Sequence, residues 1–254
     1  MSLLHALILG IIEGITEFLP VSSTAHLILA SHALRLPDSE FVKSFEIIIQ
    51  LGAILSVVVL YFPKFFDLEV LKKLVVAFLP TGVLGVTLYK AVKVHLLGNV
   101  TVVLAALVLG GIALIFFERS RDAGQEEIDF SEITYRRALL VGLFQSVAMV
   151  PGVSRSAATI IGGSLLGISR RTIVEFSFML AVPTMLAASV LDLWQSHDAI
   201  AGNYAALGVG FVTSFVTAIV AIKSFLAFIK KRSFAAFGVY RIILAIAYFL
   251  VIGL

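Results

Sequence analysis

Long apolar stretches separated by short polar links limit this chain to one broad class of fold. Residues 100–117 include no charged side chain, and five further stretches are similarly long and apolar. A helix needs about 20 mostly apolar residues to cross the hydrocarbon core of a bilayer. Only 14% of the residues are charged, against about 25% in a soluble domain. Because the stretches show no strand-like alternation, the sequence predicts an all-α polytopic membrane protein rather than a barrel.

Composition also excludes several kinds of function. The chain has no cysteine, which rules out disulfides, thiolate catalysis and cysteine-ligated metals. No basic surface with interleaved aromatic residues is present, so no nucleic-acid partner is predicted. The first residues lack the basic region of a cleaved signal peptide, and the first apolar run is therefore predicted to belong to the mature fold.

Two apolar segments differ from the others because their middles are polar and contain a proline. Residues 3–33 are interrupted around Pro20, and residues 138–166 are interrupted around Pro151. A single helix that crosses the bilayer does not have its most polar residues at its centre, because the centre lies in the hydrocarbon core. We predict that each segment is a re-entrant hairpin of two short helices that enters the membrane and returns. The six full spans are predicted at residues 45–62, 74–88, 100–117, 173–193, 204–229 and 237–254.

The two halves of the chain repeat the same plan. Residues 6–13 (ALILGIIE) match residues 138–145 (ALLVGLFQ), and Pro20 with Ser23 matches Pro151 with Ser154. Each half has one hairpin and three spans, and an odd number of spans places the second half upside down relative to the first. The prediction is a single membrane domain over residues 1–254, with inverted-topology repeats at about 1–120 and 131–254 and a hydrophilic connector at about 118–137.

Basic residues are concentrated in four of the predicted links, at residues 64–73, 118–137, 169–172 and 230–233. The opposite side has only Arg35, Lys43, Lys90 and Lys93. The positive-inside rule places the four basic links in the cytoplasm. The first hairpin then opens outward and the second opens inward.

The first hairpin has the residue types of a catalytic site. Glu13 and Glu17 lie four residues apart and share one helical face, so they could bind Mg²⁺ or Ca²⁺, or one of them could act as a base. Ser23 and His26 are one helical turn apart and resemble an activated nucleophile. Simpler roles remain open: a hydroxyl in the run from Ser22 to Thr24 caps a helix, and the carboxylates pair with an arginine for structure alone.

The second hairpin has the residue types of an anion receptor. The Arg155 guanidinium offers a fixed fork for two phosphate oxygens. Hydroxyl donors are predicted from Ser154, Ser156 and Thr159, and Gly152 allows close approach of the backbone. We therefore predict that this hairpin holds a phosphate group, with Thr24 of the first hairpin as a further contact.

The two motifs resemble those of a known family. Residues 13–26 (EGITEFLPVSSTAH) and 151–159 (PGVSRSAAT) closely resemble the two signatures of bacterial undecaprenyl-diphosphate phosphatases of the bacitracin-resistance type. The likeness extends to residues 45–52, 175–178 and 240–241, and so to nearly the whole chain. One departure is Ala25, where a glycine is common, and a small residue is retained there.

The resemblance implies an inner-membrane enzyme that hydrolyses the C55 isoprenoid diphosphate to the monophosphate and inorganic phosphate, which recycles the lipid carrier of cell-wall synthesis. It implies dependence on a divalent cation, a site facing the periplasm, and a polyprenyl diphosphate and membrane lipids as partners; a homodimer stays open. By position, the family's acidic motif falls on Glu13 and Glu17. Its proposed nucleophile falls on Ser23 and the nearby histidine on His26. Its phosphate-binding motif falls on Ser154, Arg155 and Thr159.

Alternatives remain for both mechanism and function. Either Ser23 attacks phosphorus while Glu17 or His26 takes its proton, or water activated by a cation attacks directly and Ser23 only binds. Inverted repeats with broken helices are also typical of transporters, so a lipid-phosphate flippase is the competing function. The hairpins are chemically unlike, since Gln145 stands where the first repeat has Glu13, and this asymmetry favours an enzyme.

Overall fold

The computed structural model describes residues 1–96, 99–119, 130–195 and 203–253. Within these ranges the chain is helical and contains no strand, which confirms the predicted all-α class. The α-helices are α1 Leu3–Thr16, α2 Ser23–Ala33, α3 Glu40–Leu60, α4 Leu68–His95, α5 Val100–Arg119, α6 Tyr135–Ser146, α7 Arg155–Leu165, α8 Arg170–Gln195, α9 Tyr204–Ile229 and α10 Ala235–Ile252. Residues 120–129 of the predicted connector lie outside the described residues.

Five helices are long and apolar enough to cross a membrane. They are α3, α4, α5, α8 and α9, which confirms five of the six predicted spans. The sixth predicted span, residues 237–254, falls on α10, a shorter apolar helix, and its last residue lies outside the described part of the chain. The protein is therefore a multi-pass membrane protein.

The two proline-containing segments each form a pair of short helices. These helices have 14 and 11 residues in the first pair, α1 and α2, and 12 and 11 residues in the second pair, α6 and α7. At 1.5 Å per residue the longest is about 21 Å, shorter than the roughly 30 Å hydrocarbon core. The helix breaks lie at the predicted places, whereas the re-entrant path itself stays a prediction.

Glycines let the short helices pack closely against long ones. Helix α1 packs mainly on α9, and α6 packs mainly on α4. A Cβ added at Gly10 would lie 2.7 Å from the carbonyl oxygen of Gly210, and one added at Gly142 would overlap the carbonyl group of Ala77. Such backbone contact needs a residue without a side chain.

Substitution of Gly142 by alanine should therefore separate α6 from α4. We expect a loss of about 1–3 kcal/mol of stability, as for other overpacked sites, and a thermal midpoint in detergent that is several degrees lower. Gly85→Ala on α4 is the matched control, because a Cβ there would have open space around it. Equal midpoints for the two variants would contradict this account of the helix contact.

Candidate active site

The first site element is the turn from Glu17 to Ser22, between α1 and α2. Ser22 has a positive φ of 72°, and its hydroxyl accepts a hydrogen bond from the backbone N–H of Ala25. Ser22 therefore caps α2, which is one of the two roles predicted for this run of hydroxyls. The capping role leaves the neighbouring Ser23, the first residue of α2, available for another contact.

Ser23 is held directly against Glu17. Its hydroxyl donates to the Oε2 atom of Glu17 over 2.5 Å, and both residues are buried. The carboxylate is thus placed to receive the hydroxyl proton, which is the geometry required of a general base beside a nucleophile.

His26 is engaged elsewhere. Its Nδ1 atom lies 2.7 Å from the carbonyl oxygen of Ser22, and since a carbonyl only accepts, Nδ1 carries a proton. Its Nε2 atom lies 2.7 Å from the hydroxyl of Tyr240, and the two rings are stacked. Both nitrogens of His26 are therefore occupied by groups other than Ser23.

The second site element is the turn that leads into α7, and most of its predicted residues contact protein groups. The Ser154 hydroxyl caps α7 by accepting from Ala157. The Ser156 hydroxyl donates to the carbonyl oxygen of Leu19 over 2.8 Å and so joins this turn to the first. Thr159 lies on the buried side of α7, where its hydroxyl is 2.6 Å from that of Ser177.

Arg155 connects the two turns electrostatically. One Nη atom lies 3.3 Å from Oε1 of Glu17, and the other donates to the carbonyl oxygen of Ser177 over 2.7 Å. The Nε–H group is buried and has no hydrogen-bond partner among the described residues. Arg155 is thus held by two fixed contacts while one donor stays available for an anionic ligand.

A cavity of about 150 Å³ lies between the two turns. It brings together five of the residues predicted for the site, Glu17, Ser23, Thr24, Ser154 and Arg155. The others, Glu13, His26, Gly152, Ser156 and Thr159, are not among its lining residues, and direct contact of these residues with a ligand stays a prediction. The cavity therefore combines a hydroxyl, a carboxylate and a guanidinium at one buried place.

Glu13 fits the predicted cation-binding role. Both of its carboxylate oxygens are buried and lack a hydrogen-bond partner among the described residues, and an unpaired carboxylate is costly to bury. No group of three or more acidic or imidazole side chains that could hold a metal occurs in the described part of the chain. A divalent cation at Glu13 and Glu17 would therefore take further ligands from phosphate oxygens and water, as Mg²⁺ commonly does.

Arg241 holds both turns to the rest of the protein. Its side chain is fully buried, and its guanidinium donates to four backbone carbonyl oxygens. Two belong to α5, at Ala106 and Leu107, and one belongs to each turn, at Pro20 and Gly152. The carbonyl of Gly152 is presented at a positive φ of 91°. Arg241 therefore has a structural role, because it ties both turns to α5.

Three residues at the site were missed because they come from distant helices. Ser177 of α8 fixes Arg155, Tyr240 of α10 contacts His26, and Thr184 of α8 lines the cavity. The only available signal was that Ser177 and Tyr240 lie in the two short stretches included in the family likeness. Nothing in the sequence indicated which helix faces lie beside the turns.

Comparison with known proteins shows which family the chain belongs to. The family described as Bacitracin resistance protein BacA matches residues 6–247. Proteins named undecaprenyl-diphosphatase are similar over nearly their whole length. One from Aquifex aeolicus is 50% identical over 246 residues, 96% of each chain. One from Sulfurihydrogenibium is 51% identical over 252 residues, 98% of this chain and 99% of the relative. From these matches, the chain belongs to the bacitracin resistance protein BacA family.

Proposed function

We propose that this protein hydrolyses undecaprenyl diphosphate to undecaprenyl phosphate and inorganic phosphate. The observation that carries the proposal is the contact of Ser23 with Glu17, with Arg155 on the other oxygen of the same carboxylate. The names of the relatives, undecaprenyl-diphosphatase, support the same substrate. A transporter, the competing function, would have no use for a serine held against a carboxylate, whereas an enzyme would use this contact for catalysis.

In the proposed reaction, Ser23 attacks the terminal phosphorus. Its oxygen forms a bond to phosphorus, and its proton passes to Oε2 of Glu17. The bond between that phosphorus and the bridging oxygen breaks, and undecaprenyl phosphate leaves. Arg155 donates from its free Nε–H to a phosphate oxygen and offsets the charge that develops there. Water then hydrolyses the phosphoserine and releases inorganic phosphate.

His26 has a positioning role in this proposal. Its protonated Nδ1 holds the carbonyl of Ser22 and thereby the residue that precedes the nucleophile. The contacts favour Glu17 over His26 as the group that receives the serine proton, because only Glu17 is within hydrogen-bonding distance of that hydroxyl.

A divalent cation, Mg²⁺ or Ca²⁺, belongs to the proposal as a partner of Glu13 and Glu17. When bound, it supplies positive charge against the phosphate oxygens. The unpaired oxygens of Glu13 support this placement.

The inverted repeat is supported by the helix pairings. In the repeat, α1 corresponds to α6 and α4 corresponds to α9. The packing of α1 on α9 therefore has its counterpart in the packing of α6 on α4, and both pairings are present.

The predicted cytoplasmic grouping is supported by contacts between separate links: Lys64 pairs with Glu175, and Arg170 contacts both Glu118 and Arg232. We accordingly place the protein in the bacterial inner membrane with its active site toward the periplasm.

Purified protein in detergent should release inorganic phosphate from undecaprenyl diphosphate. A chelator should reduce the rate by roughly 100-fold or more, and added Mg²⁺ or Ca²⁺ should restore it, since the cation offsets phosphate charge. The measurement is phosphate release over time, with the lipid product identified by mass spectrometry. A flippase would release no phosphate in detergent, because it only moves lipid across a membrane. Absence of hydrolysis would therefore contradict the proposal and leave the flippase alternative.

A further inference from the structure

The cavity at the active site is lined by both polar and apolar side chains. Ser23, Glu17 and Arg155 are among the polar residues, together with Gln50 and Thr184, whereas Ala148, Val153, Met185 and Ala188 form what we call the apolar side. A free phosphate ion would need only the first set. An amphiphile, with a charged end and a hydrocarbon end, matches both.

The apolar side reaches the outer surface of the protein. Ala188 is exposed on α8 and Ala148 is partly exposed beside α6, while Met185, which also lines the cavity, is buried. The two alanines have the smallest apolar side chains that still line a wall. Both line the cavity and neither is buried, so we infer that they mark a gap through which the cavity meets the outside of the protein.

The surface around this gap faces lipid. Val190, two residues after Ala188 on α8, is 63% exposed, and Val147, next to Ala148, is 56% exposed. Leu186 and Leu143 are also exposed large apolar residues. In a membrane helix such side chains contact hydrocarbon, so the gap opens sideways into the bilayer rather than into water.

We propose that the isoprenyl chain of the substrate passes between Ala148 and Ala188, with its first isoprene unit against Met185 and its diphosphate at Arg155 and Ser23. The inference rests on the proposed function, since it assumes the same site and reaction. Thr24 is an exposed polar residue that also lines the cavity, and in this proposal it marks a second opening, through which inorganic phosphate leaves. The two products therefore depart in different directions.

Ala188→Trp tests the opening directly. The indole should fill the gap and lower kcat/KM for undecaprenyl diphosphate by about 100-fold, a typical cost of misplacing a substrate. Ala187→Trp is the matched control, since Ala187 is exposed on the same helix but does not line the cavity, and it should stay within about twofold of the wild-type rate. An Ala188→Trp variant that is folded and fully active would overturn the proposal.

Single-cysteine variants provide a second test that does not depend on the tolerance of a large side chain. The chain has no cysteine of its own, so Ala148→Cys, Ala187→Cys and Ala188→Cys each offer one thiol to a membrane-permeant maleimide. Undecaprenyl diphosphate and its lipid product both carry the isoprenyl chain, and either should slow labelling at positions 148 and 188 several-fold while leaving position 187 unchanged. Equal labelling with and without lipid at all three positions would overturn the proposal.

The two proposals fail in distinguishable ways. If the wild type releases no phosphate, the proposed function is wrong. If the wild type is active but Ala188→Trp is equally active and the thiols are not protected, only the lateral opening is wrong.

Discussion

Ser23→Ala should lower the rate of phosphate release from undecaprenyl diphosphate by about 1,000-fold or more, because removal of a nucleophile leaves only binding and charge stabilisation. KM should change little, since the cavity keeps Arg155 and Glu17. Ser31→Ala is a close control: Ser31 lies on the same helix and its hydroxyl also donates to a carboxylate, that of Glu46, over 2.9 Å. That variant should retain nearly full activity.

The same experiment separates the two mechanisms that the sequence left open. If Ser23 is the nucleophile, rapid quenching of the wild type with substrate labelled in the terminal phosphate should trap a phosphorylated Ser23. If water attacks directly, no labelled protein should form and Ser23→Ala should keep a rate within about tenfold of the wild type, the cost of one lost binding contact. Full activity of Ser23→Ala would exclude our mechanism.

Arg155→Ala should be almost as damaging, with a loss of about 100- to 1,000-fold in kcat/KM, as for removal of a donor that stabilises transition-state charge. Arg155→Lys should restore little. The guanidinium contacts Glu17 and Ser177 at once and keeps its Nε–H free, which a single ammonium group does not reproduce. Steady-state kinetics with undecaprenyl diphosphate is the measurement.

Stability must be measured alongside activity, because Arg155→Ala also leaves Glu17 buried without its cation. The lysine variant keeps the positive charge, so a folded but inactive Arg155→Lys would assign the loss to phosphate binding. Arg171→Lys is the control, since Arg171 is a largely exposed arginine of α8 that pairs with Glu175. Near-normal turnover of Arg155→Lys would contradict the proposal that the Arg155 guanidinium binds the phosphate.

The helices and their breaks were predictable because each depends on local chemistry. Apolar length predicted six spanning helices, five of which are long and apolar enough to cross a membrane, and prolines with hydroxyl residues predicted where α1 and α6 end. Local spacing was less informative about the nucleophile. Ser23 and His26 are one turn apart, yet Ser23 contacts Glu17, because the turn between α1 and α2 folds the carboxylate back over the start of α2.

Partners from distant helices were not predictable from one sequence. Ser177, Thr184 and Tyr240 approach the turns because of how α8 and α10 pack, and helix periodicity does not specify which membrane helices are neighbours. The same limit applies to Ser156 and Thr159. Their hydroxyls resemble phosphate ligands in sequence, and in the structure they bond to Leu19 and to Ser177.

The contacts of Arg241 have a consequence for biogenesis. This residue lies on α10, which follows α1 to α9 in the described part of the chain, and it is bonded to the carbonyl oxygens of Pro20 and Gly152 in the two turns. Until α10 inserts, neither turn has this anchor, although both turns precede α10 in the chain and have already been synthesised. The order of synthesis thus leaves both turns without their shared support until α10 has been translated and packed against α5, so the two turns are fixed relative to each other late in folding.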